Sequence, residues 1–461
     1  MLTKSTVQLM ALGLVGSFAA TAAAQDSGAL IDALVRKGVL KDQEAEQIRT
    51  QLSRDYAANT PAGKLNLSSS VKELKLSGDV RLRFQHDIQQ VQGNDLNAAG
   101  TAPGTATSSH DSQRDRYRLR LRVNADYKLN DNFYAGFGLQ TESKNDSGNQ
   151  TMGDGTYHQN YNIYINKAFI GWTPVSGVNL IGGKQVNPFY TTDMVWDADI
   201  NPTGFVQRVD LHKILELGGF EASLVAGQFV VSDSTTEASK PGEGTRDAFT
   251  YQAQVQLGIP VGDVAKVTIA PGFYWTNGAK ISGDGGGEYN STKWSATGDN
   301  QLDGMKILLV PGDVSFKLGS LPAKFQWDFA YNRDGADRGR MYAANAAAFV
   351  PSSQDNMAYL AGFQVGENKK KGDWSALVNY RQVGLSAVDP NINDSDWSLS
   401  YTNMAGYKAG FIYSLGDAAT IGLTYITGDN LRKDLGGKPN YGPGSGKNSV
   451  SVIQLDAVVK F

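Results

Sequence analysis

At 461 residues the chain is long enough for two or three ordinary soluble domains or for one large barrel. Its net charge of −3, with 43 basic residues spread among 46 acidic ones, gives no footing for a nucleic-acid partner and confines any electrostatic function to local patches. Zero cysteines remove thiol catalysis, Cys-ligated zinc and disulfide stapling together.

Glycine is abundant and aromatic residues are plentiful, yet the mean hydropathy is negative, where a helical membrane protein would be strongly positive. Beyond the first 25 residues no apolar run approaches the about 20 residues that a spanning helix needs. The N-terminus itself reads as a secretory signal peptide over 1–24. Lys4 supplies the positive region, Leu9 to Ala20 the apolar one, and Ala22-Ala23-Ala24 before Gln25 a cleavage site of small residues. A retained anchor is the other reading, and the apolar region falls short of the length it requires.

From Gly28 to Tyr56 the spacing predicts helix, with Leu30, Ile31, Leu34 and Val35 on one stripe and Ala45, Ile48 and Leu52 on a second, separated by Gly38. A linker rich in small and polar residues follows to Ser70, so 25–70 is expected to be a helical segment and linker in the periplasm. It could assemble chains, dock at the barrel mouth or remain a loose appendage.

After Glu73 the period changes to two. Tyr117, Leu119, Leu121, Val123, Ala125 and Tyr127 alternate with Arg116, Arg118, Arg120, Arg122, Asn124 and Asp126. The pattern returns where Phe249, Tyr251, Ala253, Val255 and Leu257 interleave with Thr250, Gln252, Gln254 and Gln256, and again over 324–332. Each such segment is a strand with one oily and one wet face. Counting them gives an all-β chain of about 16 strands whose connections alternate short and long, as in an antiparallel up-and-down barrel. Short connections are expected near 129–132, 174–177, 218–219, 259–263, 319–321, 369–371 and 416–418. Long ones are expected near 88–113, 146–158, 187–203, 232–245, 276–303, 334–353, 384–400 and 429–447. A soluble barrel of this size would enclose more volume than side chains fill, so the oily faces are expected outward in lipid and the polar faces around a watery lumen. The transmembrane barrel is therefore assigned to 71–461.

Three stretches carry a resemblance: Gly182-Gly183-Lys184-Gln185 followed by Asn187-Pro188-Phe189, then Trp196-Asp197-Ala198-Asp199, and the last strand, where Ile453, Leu455, Ala457, Val459 and Phe461 share one face. With these the chain resembles the putative porin family of bacterial outer-membrane barrels and, more distantly, the general diffusion and phosphate-selective porins. The resemblance implies passive diffusion of small hydrophilic solutes in the outer membrane, with Phe461 ending the signal read by the barrel-assembly machinery. It also implies a homotrimer.

Arg81 and Arg83, at inward parity on the first strand, would join Arg116, Arg118, Arg120 and Arg122 in a basic, anion-attracting wall if the two strands are neighbours. The same arginines could instead be paired with inward acids that balance the wall. Asp193, Asp197 and Asp199 lie in the third long loop, which by resemblance folds into the lumen and narrows it. Asp197, Asp199 and Asn201 match the first ligand positions of an EF-hand loop, but Pro202 and Arg208 replace its Gly and closing Glu, so no metal and no cofactor is assigned. Only His86, His110, His158 and His212 could serve an enzyme, and no Gly-x-Ser-x-Gly elbow accompanies them. A structural barrel that tethers the envelope through its N-terminal helical segment is the alternative, although anchoring needs only about eight strands. A plugged importer would need a larger N-terminal domain.

Overall fold

In a computed structural model of the chain the described residues are 71–94, 107–141, 148–153, 160–232, 248–276, 280–281, 300–301, 305–336, 352–400, 402–432 and 447–461, with 35, 37, 44–48 and 158. The predicted signal peptide, 1–24, lies outside them, as does most of 25–70, within which residues 44–48 are helical and Ala45 is buried.

The chain forms two compact units. In the smaller, Met1–Leu76 with Tyr127–Asn130, the Lys72 amide donates to the Lys128 carbonyl at 2.8 Å. The larger, Ser77–Asp126 with Asp131–Phe461, carries the barrel. Sixteen antiparallel strands run in chain order. They are β1 (Glu73–Asn94), β2 (Thr107–Lys128), β3 (Phe133–Thr141), β4 (Ile163–Trp172), β5 (Val178–Lys184), β6 (Thr203–Asp210), β7 (Glu221–Ser232) and β8 (Ala248–Val261). There follow β9 (Ala265–Ile269 and Gly272–Thr276), β10 (Lys306–Leu309 and Gly312–Leu318), β11 (Leu321–Asn332), β12 (Met357–Gly366), β13 (Trp374–Val383), β14 (Met404–Gly416), β15 (Ala419–Asn430) and β16 (Lys447–Lys460). Closure comes from β1 pairing with β16, from Asp79 opposite Lys460 to Gln92 opposite Lys447. No backbone edge is left facing lipid, where unsatisfied donors and acceptors would be costly.

The alternation places side chains as the period predicts. Ile165 is 62% exposed on the outer face, whereas Gln252, Gln254 and Gln454 are each 3% exposed on the inner one. Outer aromatic rings pair near both ends of the strands, Phe133 with Trp172 and Trp374 with Phe411 toward the short connections, and Tyr251 with Trp275 toward the long ones. Such rings suit the head-group level, where an apolar body meets a wet edge.

Three departures have physical causes. The first long connection spans only 95–106, because the polar ends of β1 and β2 stay extended and β1 remains paired to β16 as far as Gln92. The connection expected at 218–219 is the longer segment 211–220, opened by a short 3₁₀ turn over Leu211–Lys213. In β9 and β10 the breaks fall opposite each other at Pro271 and Pro311, which have no N–H for the ladder. Their carbonyls still accept, Pro271 from Val255 at 3.0 Å and Pro311 from Ala270 at 2.9 Å.

The lumen is not polar throughout. On the long-loop half of β9 to β16 the inward residues include Ile307, Leu309, Leu360, Met404, Ile426, Val450 and Val452, each nearly fully buried. They form one apolar cluster with Phe189, Met194, Val195 and Trp196 from 185–202 and with Ala387, Val388 and Trp397 from 384–403. Inner walls turn apolar where loops are seated on them, since loop side chains exclude water there.

Candidate pore constriction

Strands β1 and β2 are neighbours, and their inward faces bring the six arginines together. They are not bare. Arg116 pairs with Asp87 at 2.5 Å, and Asp79 accepts from both Arg120 at 2.8 Å and Arg122 at 2.7 Å. Arg83 is gripped by both oxygens of Asp456, at 2.8 and 2.9 Å. Arg81 donates to the Asn149 side chain, and Arg118 to the Asn149 carbonyl at 3.3 Å and to Gln85 at 3.2 Å. With Asp199 and Asp396 reaching in from loops, six guanidiniums meet five carboxylates. Among the described residues the wall is a ladder of paired charges. Asp79, Asp87 and Asp456 were missed by sequence reasoning, although Asp79 and Asp87 share the inward parity of Arg81 and Arg83.

The segment 185–202 lies inside the barrel and follows the wall strand by strand. Its Pro188 carbonyl accepts from Gln256, and the Tyr190 backbone exchanges two bonds of 2.8 Å with the Gln254 side chain, both glutamines on β8. The Tyr190 hydroxyl donates to Asp313 on β10, and Thr192 to Asp328 on β11 at 2.7 Å. Asp193 then takes Arg381 on β13 at 3.0 Å and Lys408 on β14 at 2.7 Å. After that the segment crosses the lumen: Asp199 accepts from Arg122 on β2 at 3.2 Å, and Asn201 donates to the Asn166 carbonyl on β4 at 2.9 Å. Asp199 and Asn201 thus turn to different strands, while the Asp197 carboxyl accepts from the Asp199 amide at 2.9 Å.

Loop 384–403 enters the lumen as well, which sequence reasoning did not foresee. Its signal was an unusual apolar content for a surface loop, Ala387, Val388, Ile392 and Trp397 among Asp389, Asp394 and Asp396. Tyr274 donates to Asp389 at 2.9 Å, Arg381 and Lys408 to Asp394 at 3.4 and 3.2 Å, and Arg83 to Asp396 at 2.8 Å. The two loops are sewn to each other. The Asp197 amide donates to the Ile392 carbonyl at 2.6 Å, the Asp394 amide to the Asp193 carbonyl at 3.0 Å, and the Ser395 amide to the Asp197 carboxyl at 3.2 Å.

The loop carboxyls differ in character. Burial opposes ionisation of Asp193, but the charges of Arg381 and Lys408 hold its pKa well below the ordinary value. Burial and the nearby charges of Asp394 and Asp199 push Asp197 up to about 8, against the amide hydrogen bonds of Asp199 and Ser395.

A family model described as a putative porin matches residues 18–305 and 315–461. The chain belongs to the putative porin family. It is accordingly an outer-membrane porin channel. No curated protein matches the sequence. Among solved structures, OmpF of Salmonella typhi in complex with daunomycin is 10% identical, with 86% of this chain and 100% of that one covered and a TM-score of 0.44. The outer-membrane channel DcaP of Acinetobacter baumannii is 16% identical, with 84% and 97% covered and a TM-score of 0.40.

In this porin Ile453, Leu455, Ala457 and Val459 of β16, with Phe461 directly after it, stand on the lipid face. Phe461 is bonded to Gly78 in both directions, at 2.8 and 3.1 Å, and its ring lies where a side chain at residue 78 would stand.

Proposed function

We propose that this porin passes small hydrophilic solutes and ions by passive diffusion, with a weak preference for anions set where the arginine ladder faces the two inserted loops. The observation that carries the reading is the ladder itself, six guanidiniums gathered on one inward wall. Fixed charge at a narrow, partly dehydrated point governs ion preference more than charge at the mouth. Asp193, Asp197 and Asp199 act in this reading as the loop's fastenings and as the counter-charge of the constriction. Insertion by the barrel-assembly machinery through the strand ending at Phe461, and assembly as a homotrimer, complete the proposal.

The test is single-channel conductance in a planar bilayer, with the reversal potential read in a salt gradient. Wild type is compared with Arg118→Ala plus Arg120→Ala. Stepwise conductance with an anion preference that falls in the variant is expected. Folded protein that leaves the bilayer tight would overturn the channel reading, and an unchanged reversal potential would remove the ladder from selectivity.

A further inference from the structure

Arg83 is where wall and loop meet. Asp456 holds its Nε and Nη2 on the wall, and Nη1 is left to donate to Asp396 of loop 384–403 at 2.8 Å. Arg83 is nearly fully buried, while Asp396 keeps 27% of its side chain exposed. Two residues before Asp396, Asp394 is fixed by Arg381 and Lys408. One residue after it, Trp397 is sealed in the apolar cluster. The loop is therefore anchored on β13 and β14 through Asp394 and in the apolar cluster through Trp397, and Asp396 adds the ion pair at the seam between β1 and β16.

We propose that Asp396 sets the size limit of the channel, because its ion pair with Arg83 straps loop 384–403 across the lumen. The inference rests on the diffusion-channel reading. Geometry separates strap from wall: without Asp396, Arg83 stays seated on Asp456, so the pairing within the wall survives while the loop loses its ion pair at the seam. The strap is also durable. Burial opposes ionisation of Asp396, but the charges of Arg83 and Arg118, with hydrogen bonds from Arg83 and Gln454, keep its carboxyl below the ordinary range.

The experiment compares wild type, Asp396→Ala and Asp456→Ala by single-channel conductance and by exclusion of uncharged polyethylene glycols of graded size. Both variants delete one negative charge beside Arg83, so both are expected to move the reversal potential the same way. Only Asp396→Ala is expected to raise conductance and shift the exclusion limit to larger polymers. An identical limit in all three conducting proteins overturns the inference and leaves the channel standing, whereas absent conductance in folded wild type overturns the channel itself. Should Asp396→Ala fail to fold, Asp396→Ser, polar but too short to keep the 2.8 Å contact with Arg83, gives a second measurement. Its exclusion limit is expected to shift to larger polymers as well, and a wild-type limit in the folded variant overturns the proposal.

Discussion

Arg381, which the sequence did not single out, fastens both inserted loops. Its side chain is 1% exposed, reaches Asp193 at 3.0 Å and Asp394 at 3.4 Å, and lies 5.1 Å above the Trp397 ring. A buried pair is weak evidence of net stability, but removing one partner strands the others. Arg381→Ala leaves two carboxylates to Lys408 alone and is expected to destabilise the barrel by about 3 kcal/mol, read as a lower thermal midpoint for loss of the heat-modifiable band. Lys324→Ala, on a polar inner face away from this cluster, is expected to leave that midpoint unchanged. At this scale the sequence was half legible. The six arginines stood out because alternation makes parity visible, and Asp79 and Asp87 could have been read by the same rule. Asp456 and Asp396 could not, because each meets Arg83 only after closure brings chain positions more than 300 residues apart together.

Among the elements, the inserted loop 185–202 depends on how β5 and β6 release it. Gly183 and Gly204 face each other across that strand pair. Gly183 has φ of 121°, a conformation side chains rarely adopt, and a Cβ there would stand 2.3 Å from the Ala168 carbonyl oxygen. Gly183→Ala is therefore expected to cost about 1–3 kcal/mol and to disturb the loop's departure from the wall, seen as broadened conductance steps beside a lowered unfolding midpoint. Uniform wild-type steps in the variant would mean that the loop is positioned by its fastenings alone. The sequence shows this loop as the third long connection, and its entry into the lumen was expected only from the resemblance. Loop 384–403 was expected as a long connection but not inside the barrel, since Arg381, Lys408 and Arg83, which seat it, lie on three strands and only folding makes them neighbours.

Taken as a whole, the molecule is inside-out relative to a soluble protein, and this was its most legible property. Period two needs only local sequence, and closure follows from an even set of hairpins, whereas the apolar patch inside the lumen needs knowledge of which loops return. Neighbouring residues on β15 test the inversion directly. Leu423 is 52% exposed on the outer face, while Thr424 lies on the inner one opposite Gln454. An arginine at Leu423 must take its charge into hydrocarbon, at a cost of about 2–4 kcal/mol near the bilayer midplane that declines toward the interfaces. The same side chain at Thr424 remains in a watery lumen, where it adds a positive charge and little strain. Leu423→Arg is therefore expected to lower folding free energy in lipid vesicles, and Thr424→Arg to leave it nearly unchanged while moving the reversal potential toward anions. The opposite ranking would place oil inside and water outside, and no channel could then be built on these strands.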